Sequence, residues 1–176
     1  QNTEKAVELA VKAALERKIS HVVVASTVGD TARAALSAIG DKNLKLVVVT
    51  HSASFGKEGE QEFDPGLRKE LEEAGHSVYT GVHILRGLGK AIKGKVGWSE
   101  EELVASVLRI FGQGVKVCVE MVGMAVDAGM VPCPGDVVAV AGTARGADTV
   151  AIISTAPSHK FFDLKVRQIV AKPFDF

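Results

Sequence analysis

The stretch from 21 to 36, HVVVASTVGDTARAAL, constrains this chain more than any other. Four uncharged β-favouring residues, His21, Val22, Val23 and Val24, run into Ala25-Ser26-Thr27 and Gly29, and an alanine-rich helical pattern follows from Thr31 to Leu36. That order predicts a buried parallel strand, a tight polar turn and a helix N-terminus. Such a turn gathers unpaired backbone N–H groups and the positive end of a helix dipole at one point. With the hydroxyls of Ser26, Thr27 and Thr31 beside them, these groups offer a site for a phosphate. The competing reading is that Thr27 or Asp30 only caps the helix, since neither a Walker nor a dinucleotide fingerprint is complete.

A 176-residue chain is long enough to bury one sizeable core, and we expect a single domain over 1–176. Hydrophobic residues make up 47% and aromatics only 5%, with Val and Ala prominent, which suits a β-branched parallel sheet under alanine-rich helices. Lys plus Arg and Asp plus Glu number 21 each, so no overall field points to nucleic acid or to a membrane surface. Cys118 and Cys133 lack metal-ligand spacing and lie in apolar sequence, which favours reduced thiols in a cytoplasmic protein and no bound metal. No apolar run reaches the length of a membrane span, and the charged helical start is unlike a secretory leader. The chain does not begin with Met, so residues preceding Gln1 are expected.

Along the chain, Thr3 is expected to cap a first helix with Ala6, Val7, Ala10, Val11, Ala14 and Leu15 on its apolar face. After the turn at 25–29 and a helix near 30–39, residues 44–50 read as a second buried strand ending at Thr50-His51. The crossover makes the two strands parallel, so their C-terminal ends fall on one sheet edge, where open α/β sheets bind ligands. Residues 51–64 read as a loop whose Phe55 and Phe63 fold over a ligand, or as a solvated surface loop. Asp64-Pro65 starts a short helix stopped by Gly75, and 76–82 read as a third strand.

Residues 83–98 carry Arg86, Lys90, Lys93 and Lys95 without an acid. They read as a solvated connection with Ile84, Leu85, Leu88 and Ile92 tucked inward, or as a phosphate-attracting or RNA-touching flap. Ser99 and Glu102 suggest a capping box and Trp98 and Leu103 a hydrophobic staple, with Leu103, Val104, Val107, Leu108 and Phe111 facing inward on the helix that follows. The 115–128 stretch is expected to be a buried helix, with Lys116 and Glu120 one turn apart as a surface pair or as a ligand contact, and Met121, Met124 and Met130 as core filling. Residues 137–141 and 150–154 read as strands around a second glycine-rich turn, Gly142 to Thr149. There Arg145 is suited to bidentate phosphate contact, and Asp148 to accept from a hydroxyl or pair with Arg145. Residues 164–171 read as a closing strand.

Two separated signatures point to one family. ASTVGDTARAAL at 25–36 resembles the T-x-x-G-x-T-A-R turn of the C-terminal α/β domain of pyruvate kinase, and PGDVVAVAGTARGADT at 134–149 resembles that domain's G-D-x-V-V-V-x-A-G strand and loop. Nearly the whole chain, including NTEKAVELA, HILRGL, FGQGVKVCVE and RGADT, looks like the small stand-alone archaeal proteins related to that domain. The resemblance implies a three-layer α/β sandwich, mostly parallel, with an antiparallel edge strand. It also implies a phosphate held by Ser26, Thr27, Gly29, Asp30 and Thr31, and, from the stand-alone relatives, flavin mononucleotide (FMN) as ligand. With neither a catalytic barrel nor a lid domain in the chain, pyruvate kinase activity is not expected.

The combined expectation is a phosphate-anchored small-molecule site at the C-terminal ends of the first, second and fourth strands. Thr50, His51, Phe55 and His83 would line the rest of it, together with the turn formed by Gly142, Thr143, Arg145, Gly146, Ala147, Asp148 and Thr149. A flavin oxidoreductase, a sugar-phosphate or nucleotide sensor and an RNA binder remain as alternatives; a homo-oligomer is compatible with all of them.

Overall fold

The computed structural model describes residues 2–176. Its frame is a six-stranded sheet built from β1 (His21–Ala25), β2 (Lys45–Val49), β3 (Ser77–Tyr79), β4 (Asp136–Ala141), β5 (Thr149–Ser154) and β6 (Lys165–Ala171), in the order β3-β2-β1-β4-β5-β6. The first four positions are mutually parallel; β5 pairs antiparallel with β4, and β6 antiparallel with β5. This is the expected α/β sandwich with an antiparallel edge.

Alternation along each strand splits the sheet residues between two cores. Val22, Val24, Leu46, Val48, Val138 and Val140 meet α1 (Asn2–Arg17), α2 (Asp30–Ile39) and α3 (Pro65–Glu73) on one face. Val23, Val47, Val49, Val137, Ala139 and Ala141 meet α6 (Gln113–Asp127) on the other. Both faces are buried, so the central strands read as continuous apolar runs. Beyond α6 lie α4 (Gly87–Val96) and α5 (Glu100–Arg109), and a 3-10 turn (Ser158–Asp163) leads into β6. No helix among the described residues is long and apolar enough to cross a membrane.

Several local expectations are corrected. The 83–98 segment contains α4, closed by Gly97 in the left-handed region; most of it is solvated, with Leu85 buried and Ile84 half-buried, but Leu88 and Ile92 point outward and not inward. The helix after Ser99 forms as α5, with the Ser99 hydroxyl accepting the Glu102 N–H at 3.2 Å. The Glu102 carboxylate does not complete the box; it pairs with Arg109 and Lys93. Leu103 is 63% exposed, Trp98 59% and Phe111 51%, so the staple and most of the inward face are absent. The physical reason is layering: α6 already covers the sheet, and α5 can bury only the narrow side it lays on α6, where Ala105 is enclosed and Leu108 packs. Thr3 lies inside the first turn of α1 and accepts the Ala147 N–H at 3.0 Å, so it ties α1 to the second glycine turn and is not the cap. The third strand has only three residues, as suits an edge. Phe63 is buried under α2 and α3, so of the two loop phenylalanines only Phe55 faces the strand ends.

Candidate functional site

The first turn is built by residues with little choice. β1 extends by one residue when the Ser26 N–H donates to the Val49 carbonyl at 3.0 Å, and the Ser26 hydroxyl then accepts the Ala32 N–H at 3.3 Å. Gly29 has φ 122°, and a Cβ there would lie 2.7 Å from Leu67 Cδ2, so any side chain would strain the backbone and displace the α3 packing. The Gly29 carbonyl accepts the first α2 bond from the Arg33 N–H at 2.9 Å. The N–H groups of 27–31 have no acceptor among the described residues, as the first turn of a helix requires of its leading members.

The second turn stands opposite. Gly142 packs against the Gly146 carbonyl and 3.1 Å from Ala147 Cα, measured from where a Cβ would stand, so only glycine lets this loop close on itself. Asp148 accepts from the Thr143 and Thr149 hydroxyls at 3.2 and 2.6 Å and does not pair with Arg145. Arg145 instead reaches across to Asp30, with Nε and Nη2 at 3.1 and 2.8 Å from one carboxylate oxygen. Between the turns lies a cavity of about 150 Å³ lined by Ser26, Thr27, Asp30, Thr31, Gly142, Thr143, Arg145 and Gly146.

This small cavity adjoins a chamber of about 670 Å³ through shared walls at Ser26, Thr27, His51, Gln113 and Val117. The chamber lies between the ends of β1 and β2, α6, and the outer helices α4 and α5. His51 stacks on Phe55 with ring centres 3.7 Å apart and pairs through Nδ1 with Glu62 at 3.0 Å; the Arg86 guanidinium lies 3.9 Å from the Phe55 ring centre. Thr50 lines the wall, but its hydroxyl is committed to the His51 carbonyl and to Thr80. His83 Nε2 donates to the Thr50 carbonyl at 3.4 Å, and Nδ1 is 3.9 Å from Glu120. Burial holds the His83 pKa below the ordinary imidazole value against the opposing pull of the Glu120 carboxylate, and His51 and Lys116 push in the same direction as burial.

The sequence model of the pyruvate kinase alpha/beta domain matches residues 4–153, most of the chain and both glycine turns. The chain belongs to the pyruvate kinase α/β-domain family. Among solved structures, it is similar to a Cryptosporidium parvum pyruvate kinase in complex with ADP, at 14% identity and a TM-score of 0.50, over 89% of this chain and 24% of that one. It also resembles another structure of the C. parvum enzyme at 13% identity and a TM-score of 0.49, covering 89% and 23%. The chain spans about a quarter of the length of those pyruvate kinases, and the likeness to the ADP complex concerns the fold alone.

Within this pyruvate kinase α/β-domain fold, the residues singled out from sequence divide into three groups. Ser26, Thr27, Asp30, Thr31, Gly142, Thr143, Arg145 and Gly146 converge on the small cavity, and Thr50, His51, Phe55 and His83 on the chamber. Gly29, Ala147, Asp148 and Thr149 line neither; they shape the two turns from behind, with Ala147 and Thr149 buried. On the far wall, Arg86, Lys90 and Lys93, which the sequence offers as a phosphate-attracting flap or a solvated connection, line the chamber; Glu102, Arg109 and Gln113 line it too and had no such signal. Lys116 and Glu120 are expected on a buried helix as a surface pair or a ligand contact; they are 5% and 2% exposed and ion-paired, which removes the surface pair. A usable signal existed, because α6 is apolar on every side between 114 and 126 except at these two positions, and such a helix is covered all round.

Proposed function

We propose that this protein binds a phosphate-bearing small molecule, with FMN as the preferred ligand, its phosphate between the two glycine turns and its ring in the chamber. The observation that carries this reading is the run of N–H groups at 27–31 without an acceptor among the described residues, at the N-terminus of α2 and at the mouth of a chamber of drug-sized volume. The residues suit the group: Thr27 and Thr31 add hydroxyl donors to those amides, and Arg145, held by Asp30, adds a guanidinium at the rim. His51, Phe55, Leu85, Met121 and Met124 offer a ring apolar and aromatic cover. A bound flavin would supply electron and hydride transfer; the chain's own residues bind it, orient it and exclude water.

Titration calorimetry with FMN and with riboflavin, which lacks the phosphate, tests the proposal. It predicts saturable one-to-one binding of FMN and at least tenfold weaker binding of riboflavin. Equal affinity for the two would remove the phosphate anchor. Tighter binding of a sugar bisphosphate than of FMN would replace the flavin reading by a regulatory sensor.

A further inference from the structure

The chamber holds a polar group that the phosphate turn does not account for. Lys116 and Glu120 form a buried ion pair on α6 and line the chamber beside Met121 and Met124. Burying two charges there is no aid to stability, since desolvation offsets their attraction. Glu120 is fully engaged: Oε1 accepts the Leu85 N–H at 2.8 Å, fixing the loop that carries His83 and Arg86, while Oε2 accepts from Lys116. Lys116 is not. An ammonium carries three donors, and only the one to Glu120 has an acceptor among the described residues. The other two belong to a desolvated cation that lines the chamber and not the small cavity. Arg86, Lys90, Lys93 and Arg109 line the same space, against only Glu102 and Glu120, so the chamber as a whole favours electron-rich oxygen.

We propose that Lys116 is a second anchoring site, which binds an acceptor oxygen (carbonyl, enolate or carboxylate) on the part of the ligand remote from its phosphate, with Glu120 as the positioning residue. The ligand class is then a phosphorylated molecule with an oxygen acceptor several bonds away. The inference rests on the phosphate-turn reading for the ligand's direction, not on the ligand being a flavin.

The test is titration calorimetry of the full chain with three probes: FMN, 6-phosphogluconate (a phosphate and a carboxylate separated by a polyol chain) and inorganic phosphate. Lys116→Met should lose at least tenfold in affinity for whichever long probes the wild type binds, and change less than twofold for inorganic phosphate. Since Lys116→Met leaves Glu120 unpaired, Lys116→Met/Glu120→Gln is measured beside it. That double variant carries neither charge and keeps an acceptor for the Leu85 N–H, and it should show the same selective loss. If the wild type binds 6-phosphogluconate but not FMN, and the loss is seen, this inference stands and the flavin reading falls. FMN binding that is indifferent to Lys116 overturns the inference and leaves the flavin reading intact. A uniform loss across all three probes overturns it too. Wild-type protein that binds neither long probe better than inorganic phosphate ends both.

Discussion

Replacing Thr31 by valine separates a phosphate anchor from a simple helix start. Thr31 is the second residue of α2, is 3% exposed and lines the small cavity between the two glycine turns. Valine keeps the branched shape and removes the hydroxyl, so the packing beneath α2 is retained. If the hydroxyl donates to a phosphate, the lost bond is one to a charged acceptor, about 1.5–3 kcal/mol. At about 1.4 kcal/mol per decade, the Kd for FMN should rise roughly 10- to 150-fold. Riboflavin lacks the acceptor, so its Kd should change less than about twofold, a shift under ~0.5 kcal/mol. Calorimetric titration of both ligands against wild type and variant, with a thermal melt to confirm the fold, reads the result. An unchanged Kd for FMN, or equal losses for FMN and riboflavin, would refute the argument that the phosphate sits on this turn.

Three further outcomes follow from the geometry. Gly29→Ala should destabilise the fold by about 2–3 kcal/mol, from a left-handed backbone carrying a Cβ that meets Leu67, and lower the Tm by roughly 4–12 °C in calorimetry; an unchanged Tm would show that the turn relaxes freely. His83 and the partly exposed His21 and His76 have pKa values lowered chiefly by burial, so the unfolded chain binds protons that the folded one resists. Stability should therefore fall as pH drops below the unfolded histidine value of about 6.5 toward the folded value, and His83→Gln should flatten Tm against pH in that window; an identical slope would contradict the assignment. Cys118 is buried with its pKa raised by burial and by Asp148, whereas Cys133 is exposed, so a maleimide should modify one thiol in native protein and two in denaturant. Fast labelling of both in native protein would contradict the packing of α6.

The fold was legible where local pattern and layer agreed. The runs at 21–24, 44–50 and 137–141 are apolar on both faces because helices cover both faces, and the glycine turns after the first and third of these are fixed by sequence rules that act within a few residues. The near wall of the site was legible for the same reason. The outer layer was not. Leu103, Val107 and Phe111 have the spacing of a buried face, yet periodicity cannot say whether another layer exists to receive it. The i, i+4 spacing of Lys116 and Glu120 does not by itself decide whether they point to water or inward; only the apolar surround of α6 bears on that. That choice depends on α4 and α5 closing over α6, a long-range event that also turns Arg86, Lys90 and Lys93 toward the chamber.

The most direct measurement is the visible absorption spectrum of freshly purified protein, followed by mass spectrometry of whatever acid releases. With FMN as the ligand, the protein should be yellow and release FMN, or be colourless, take up added FMN in a one-to-one ratio and turn yellow. A colourless protein that fails to bind added FMN at any accessible concentration would contradict the FMN site.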